Sequence, residues 1–214
     1  MDNLELYRWA VQDPETHAEV LRLMHERPGP PAPPTILRED FAGTSADSVA
    51  WLALERPGAP RRAIAIDTDA PTLAWAYRRA QRLLGPRAAA LRFLQRDVLQ
   101  VAPPDPPEAD IIAALNFSAL YLHEPKRLQA YLARAREGLR DHGILVLNCF
   151  GGPASIQPSV QRHRVNPTPR LSTEPAIAPF DYLWEIRAWD AARQCVDCRI
   201  HFEVPDPAAQ NGIR

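Results

Sequence analysis

Residues Thr35-Ile-Leu-Arg-Glu-Asp-Phe-Ala-Gly-Thr-Ser-Ala-Asp-Ser48 decide the fold. Ile36 and Leu37 read as a buried strand and Gly43 as a tight turn. Thr44 or Ser45 reads as the N-cap of a helix carrying Val49, Leu52 and Ala53 on its apolar side, with Asp47 in its first turn. Glycine opens backbone angles closed to other residues and lets a ligand approach the main chain. A strand feeding a helix through such a turn presents free N–H groups and the positive end of the helix dipole, a seat for an anion. Glu39-Asp40, just before the turn, changes that polarity, because carboxylates repel a pyrophosphate and attract an amino group. A ligand bearing both a carboxylate and an ammonium fits best.

Working outward from this stretch, strands and helices alternate. The strand at 35–40 leads to a helix at 45–55, and 62–67 is a continuous apolar strand ending in an acid. A helix at 70–84 follows, with Leu73, Ala76, Tyr77, Ala80 and Leu84 on one face. Next come a short strand near 90–94, the stiff loop Pro103-Pro-Asp-Pro-Pro107 and a strand at 110–115. A helix at 124–140 turns Leu128, Leu132, Ala135 and Leu139 inward, Gly143 ends it, and a fifth strand runs over 144–150. Alternation at this spacing predicts right-handed βαβ units: an α/β, Rossmann-like three-layer sandwich with a mostly parallel sheet.

The flanks read differently. Residues 4–26 form a helical opening interrupted at Asp13-Pro14, and 27–34, rich in proline, is a stiff connector close to polyproline II. Residues 153–179 lack periodicity and read as an irregular loop. The runs 180–189 and 195–204 read as an antiparallel hairpin, and 205–214 as a frayed tail. The expected organisation is a helical lid and connector over 1–34, a cofactor-binding core over 35–152, and a loop and hairpin over the acceptor site in 153–214, ending in a shortened C-terminus.

Composition bounds the partners. Hydrophobic residues at 46% and charged residues at 24% of 214 describe a globular chain with a core. A net charge of −1 gives no electrostatic footprint for nucleic acid or an anionic membrane. Neither a signal segment nor a long apolar run is present, so the expected compartment is the cytoplasm. The three cysteines, Cys149, Cys195 and Cys198, fit reduced thiols there. Cys195 and Cys198 lie in a strand-like run with no second pair to complete a zinc site, so no metal is expected.

In an open parallel sheet, ligands bind beyond the carboxyl ends of the strands. There the second strand places Asp67, about 20 residues past the glycine turn, able to take both hydroxyls of a ribose. Asp97 follows the third strand, an acceptor for an adenine amino group with Val98 as apolar cover, and Asn116-Phe117-Ser118 closes the fourth. One strand-end Asp is most simply a cap or turn former. Four such features in register point to a nucleoside carrying an amino acid, and S-adenosylmethionine is such a ligand.

Leu37-Arg-Glu-Asp-Phe-Ala-Gly-Thr44, Ala63-Ile-Ala-Ile-Asp67, Gln95-Arg-Asp97 and Leu115-Asn-Phe-Ser118 resemble the class I S-adenosylmethionine-dependent methyltransferases. The likeness is closest to a bacterial subgroup whose first motif reads Glu-Asp-Phe-Cys/Ala-Gly-Thr. It extends to Ala10-Val-Gln-Asp-Pro14, Tyr182-Leu-Trp-Glu185 and Ile200-His-Phe202. The resemblance implies a cofactor site of Tyr7, Glu39, Gly43, Thr44, Asp67, Thr68, Asp97, Val98, Asn116 and Phe117. In it, Glu39 and the Gly43 turn hold the methionyl end, Asp67 the ribose and Asp97 the adenine. Phe41 and Ser45 stand where the family usually has glycines, which implies a differently shaped turn. The family core also finishes with a further helix and strand pair, beyond the point where this chain stops.

Candidates facing the methyl group are Asn116, Tyr121, His123 and, in the hairpin, Tyr182, Glu185 and His201; none is singled out as a base. Tyr7 and Gln12 belong to the lid. With no basic, aromatic-interleaved patch, the expected acceptor is a small molecule rather than DNA or RNA. A nicotinamide oxidoreductase would want Gly-x-Gly-x-x-Gly, where this turn has one glycine and two acids. A non-catalytic, shortened methyltransferase-like domain is the remaining alternative, and an exposed apolar sheet edge with a stable homodimer would favour it.

Overall fold

The computed structural model describes residues 2–54, 60–168 and 176–205. The chain divides into two compact units, Gln12–Cys149 and a second made of Met1–Val11 with Phe150–Arg214.

The first unit holds five parallel strands: β1 (Ile36–Asp40), β2 (Arg62–Asp67), β3 (Leu91–Gln95), β4 (Ala109–Ala114) and β5 (Leu139–Leu147), in the order β3-β2-β1-β4-β5. Its helices are α2 (Pro14–Glu26), α3 (Ala46–Ala53), α4 (Ala70–Leu84) and α5 (Pro125–Glu137); α1 (Asn3–Val11) belongs to the other unit. Alternate strand residues face opposite sides. Leu37, Ala65, Ile111 and Ala113 therefore meet Leu21 of α2, Val49 and Leu52 of α3 and Ala80 of α4. Ile36, Ile64, Ile66 and Ile112 instead meet Tyr131 and Ala135 of α5. Both sheet faces are covered, as near-continuous apolar strands require. This is the α/β three-layer sandwich that the alternation predicts.

Several expectations shift. Helix α2, expected in a lid, buries Ala18 and Leu21 in the core. On α5 the inward row is Leu128, Tyr131 and Ala135, spaced by three and four residues, while Leu132 is exposed. Tyr77 of α4 is exposed too. The last turn of α5 closes at Gly138, and Gly143 lies inside β5 rather than ending the helix. An alanine Cβ at position 138 would sit 2.5 Å from Arg38 Nη1, so a side chain there would have to displace the buried guanidinium.

In the second unit, β6 (Ser159–Val165), β7 (Phe180–Asp190) and β8 (Cys195–Glu203) form an antiparallel sheet in that order. The β7–β8 hairpin matches its sequence reading. The region 153–179 is not wholly irregular: Pro153–Ile156 is a 3-10 turn and β6 pairs with β7 from Ser159↔Ile186 to Val165↔Phe180. Arg162 and Arg164 of β6 are held by Asp181, and Arg162 also by Glu203, partners remote in sequence that no local pattern discloses. Of the tail expected to fray, residues 206–214 lie outside the described residues.

Candidate functional site

The chain leaves β1 toward β2 and β3 on one side of the sheet and only then reaches β4 on the other. The β1/β4 pair is thus the switch point at which open α/β sheets bind ligands. Unusual backbone gathers at its carboxyl ends. Phe41 (φ 55°), Gly43 (φ 47°) and Ser45 (φ 53°) lie in the turn after β1, and Asn116 (φ 54°) and Phe117 (φ 62°) follow β4. For non-glycine residues this left-handed conformation costs about 1–3 kcal/mol each and marks ligand sites more often than plain scaffold. Phe41 and Ser45 do not push the backbone elsewhere; both keep the conformation that glycine favours.

The turn is fixed by its own acids. Gly43 N–H donates to Asp67 Oδ2 at 2.7 Å, and Asp69 N–H donates to Asp67 Oδ1 at 2.9 Å. Ala42 N–H extends the β1–β2 ladder to the Ile66 carbonyl. Neither Thr44 nor Ser45 caps α3 with its side chain, contrary to the sequence expectation. The Thr44 hydroxyl instead donates to Gln12 Oε1 at 2.7 Å, and the wholly buried Ser45 hydroxyl has no hydrogen-bond partner among the described residues.

The capping role falls to Glu39, whose Oε2 accepts from Ser48 N–H at 2.8 Å. Glu39 is 4% exposed and Asp47 1% exposed. Burial, and then the neighbouring Asp47 carboxylate, raise the Glu39 carboxyl well above its ordinary range. On the far side of Asp47, His17 of α2 meets its Oδ1 at 2.8 Å. That hydrogen bond raises the imidazole above its ordinary value, against partial burial. Asp40 is not part of this group. It faces α5, where it accepts from Arg38 at 2.7 and 3.0 Å and from Tyr131 Oη at 3.0 Å. Of the Glu39-Asp40 pair that the sequence reading credits with attracting an amino group, Asp40 is thus met within the fold.

Beyond β3, Asp97 Oδ1 accepts from Leu99 N–H, capping a short 3-10 turn in which Val98 is buried. Thr68 is exposed beside Asp67. After β4, Phe117 N–H donates to Asn148 Oδ1 at 2.8 Å, so a residue at the end of β5 clamps the Asn116-Phe117 turn. Sequence reading missed Asn148, although a polar residue closing an apolar strand was a usable signal. It missed His17 altogether, because nothing local ties residue 17 to residue 47.

This donor set fits an adenosyl amino acid. Each Asp67 oxygen gives one lone pair to the backbone and keeps another for a ribose hydroxyl. Asp97 keeps Oδ2 beside the buried Val98. The buried carboxylates at α3 favour an ammonium. The other candidates each have their place within their own unit. Tyr121 is 80% exposed and His123 is exposed in the loop before α5. In the second unit, Tyr7 is half-buried on α1, and His201 is bound to Glu185 at 2.7 Å on the charged face of the antiparallel sheet. Tyr182 and Phe202 face the opposite, aromatic side of that sheet. Among the described residues no cluster of His, Cys, Asp and Glu could hold a metal ion, and no helix is long and apolar enough to cross a membrane.

Neither a protein-family model nor a curated protein matches the sequence. Solved structures do. DesVI of Streptomyces venezuelae aligns with TM-score 0.72 over 97% of this chain and 78% of its own, at 16% identity. CalS10, an amino pentose methyltransferase from Micromonospora echinaspora solved with S-adenosylmethionine bound, aligns at 0.65 over 99% and 85%, at 15% identity. KedS8, a sugar N-methyltransferase from Streptoalloteichus, aligns at 0.60 over 98% and 80%, at 17% identity. At such identities the likeness is one of fold: the chain has the Rossmann-like fold of S-adenosylmethionine-dependent methyltransferases.

Proposed function

We propose that this chain binds S-adenosylmethionine at the carboxyl ends of β1, β2 and β3 and transfers its methyl group to a small-molecule acceptor. The supporting observation is the bond from Gly43 N–H to Asp67 Oδ2. One carboxylate fixes the turn that approaches the amino-acid end and keeps lone pairs for the ribose, so both halves of the ligand are read by one bonded unit. Glu39 and the α3 N-terminus take the ammonium and carboxylate, Asp97 and Val98 the adenine, with Thr68 at the rim, the buried Thr44 behind the turn and Asn116-Phe117 as the wall toward the acceptor. When bound, the cofactor supplies an electrophilic sulfonium methyl; the residues of the chain orient donor and acceptor and exclude water. Because CalS10 and KedS8 are methyltransferases of an amino pentose and of a sugar nitrogen, amino sugars are the first acceptor class to assay.

Calorimetric titration tests the cofactor. S-adenosylmethionine and S-adenosylhomocysteine are expected to bind and NADH not to, with binding lost in Asp67→Ala. A folded protein that binds NADH, or neither adenosyl compound, overturns the reading. One observation favours a second, a non-catalytic domain that pairs with another chain. Ile144, Leu145, Val146 and Leu147 of β5 stay only partly buried at a sheet edge with no further strand among the described residues. Cofactor binding without methyl transfer to any acceptor would select it.

A further inference from the structure

Glu39 and Asp47 make an anionic pair with few compensating charges. Both are buried at the start of α3, one held by a backbone N–H of that helix and the other carried on its first turn. The guanidinium nearest in sequence, Arg38, points to the opposite sheet face and is used by Asp40. The β2 and β4 residues beside Glu39 are Ala65 and Ala113. The cation on Asp47 is His17, whose other charged neighbours are Asp13 and Glu15, both acidic. Further along α2, Asp110 and His142 act on His25, eight residues and about 12 Å beyond His17.

Two buried carboxylates cannot both stay ionised beside a single half-buried imidazole without a large desolvation cost. In the free protein the cheapest remedy is a proton. A ligand ammonium arriving at the same helix end supplies the missing charge instead.

We infer that entry of a ligand ammonium at the start of α3 displaces a proton held by Glu39 beside the Asp47 carboxylate, and that His17, acting through Asp47, sets the pH at which this exchange takes place. The inference rests on the cofactor reading above. The released proton passes to the buffer, and no bond other than O–H is made or broken. Glu39 is the binding group; Asp47 and His17 are positioning residues that tune its charge. Affinity for an adenosyl amino acid then rises with pH until the free protein no longer holds the proton. Affinity for 5′-methylthioadenosine, which lacks the amino-acid end, does not.

The two tuning residues act in opposite directions. His17→Gln keeps a side-chain hydrogen bond to Asp47 but removes the cation, so Glu39 holds its proton more tightly and the rise moves to higher pH. Asp47→Asn removes the repelling carboxylate, so the proton is lost sooner and the rise moves to lower pH. A shift of one pH unit corresponds to about tenfold in affinity at a fixed pH on the slope.

The experiment is calorimetric titration with S-adenosylhomocysteine and with 5′-methylthioadenosine from about pH 6 to 8, the range in which histidine and raised carboxyls titrate. Running each point in two buffers of different ionisation enthalpy counts the protons released. The expected result is proton release with S-adenosylhomocysteine alone, a pH-dependent affinity for it alone, and opposite displacements in the two variants. Binding of both compounds with flat, matching pH profiles overturns the inference and leaves the cofactor reading standing. If neither compound binds the folded wild-type protein, the cofactor reading fails and the inference with it. If a variant does not fold, the wild-type contrast between the two ligands still decides.

Discussion

Glu39 and Asp40 are consecutive on one strand, nearly identical in chemistry and equally hidden from water, yet they sit in opposite electrostatic settings. Asp40 shares its face with Arg38 two residues earlier and with Tyr131 of α5, so its charge is balanced within the fold. Glu39 points to the other face, where its partner is a backbone N–H and its charged neighbour is the repelling Asp47. Burial pushes both carboxyls up, and only at Asp40 does a guanidinium pull against it. A buried acid whose charge is met inside the protein is scaffold, and one whose charge is left over is free to meet a cation from outside, as proposed for Glu39. Sequence adjacency says nothing about which is which, because one step along a strand reverses the face.

That contrast can be broken most easily at Asp40. Asp40→Ala strands the Arg38 guanidinium at 1% exposure, and loss of one partner of a buried pair is expected to cost about 3–5 kcal/mol. Urea denaturation measures it; a loss below about 1 kcal/mol would mean the Arg38 guanidinium is satisfied without Asp40. Glu39→Gln sharpens the comparison from the other side. The amide oxygen still accepts from Ser48 N–H, so stability should stay within about 1 kcal/mol of wild type. Affinity for S-adenosylhomocysteine should fall by about 1.5–3 kcal/mol, the worth of a hydrogen bond to a charged group. If Glu39→Gln unfolds the protein as Asp40→Ala does, both acids are structural and the contrast is gone.

Tyr131→Phe removes one of the three hydrogen bonds to Asp40 while leaving the ring against Phe41, whose centroid is 5.7 Å away. A stability loss of about 1–2 kcal/mol is expected, with ligand affinity unchanged. An affinity loss larger than the stability loss would show that the Asp40 side of β1 reaches the binding turn through Phe41.

The smallest effect concerns His17. Its imidazole is raised in the fold by the hydrogen bond to Asp47. Its contribution to stability is therefore fully present below the ordinary histidine value of about 6.5, and it is lost as pH rises through the raised value. The difference in urea midpoint between wild type and His17→Gln should shrink from about pH 6 to pH 8. A difference that grows over that range would contradict the assigned pairing.

Most of the architecture was legible in the chain. Apolar runs of five or six residues separated by amphipathic helices can be covered only by helices on both faces, and the strands β1 to β4 fall within a residue or two of their sequence limits. That Asp67 ends β2 was legible as well, but its bond to Gly43 N–H across 24 residues was not. The strand in 159–165 was not: six of its seven residues are exposed, and it is held by cross-strand arginine–carboxylate pairs rather than by an apolar face. The register of α5 was misread by one helix position because Leu132 and Tyr131 are equally good apolar candidates until the buried Asp40 claims the tyrosine hydroxyl.

By itself, then, the sequence determined the order of elements, the parallel sheet and the glycine turn with an acid closing the next strand, because these follow from local periodicity and from the backbone freedom of one residue. Only the tertiary structure decided which of two adjacent acids is met by a guanidinium, that a strand carboxylate rather than Thr44 or Ser45 caps α3, and that His17 meets Asp47 and Asn148 meets the turn after β4. All but the Arg38–Asp40 pair depend on partners brought together across 9 to 91 residues of chain, and such partners are fixed by packing, which no local pattern encodes.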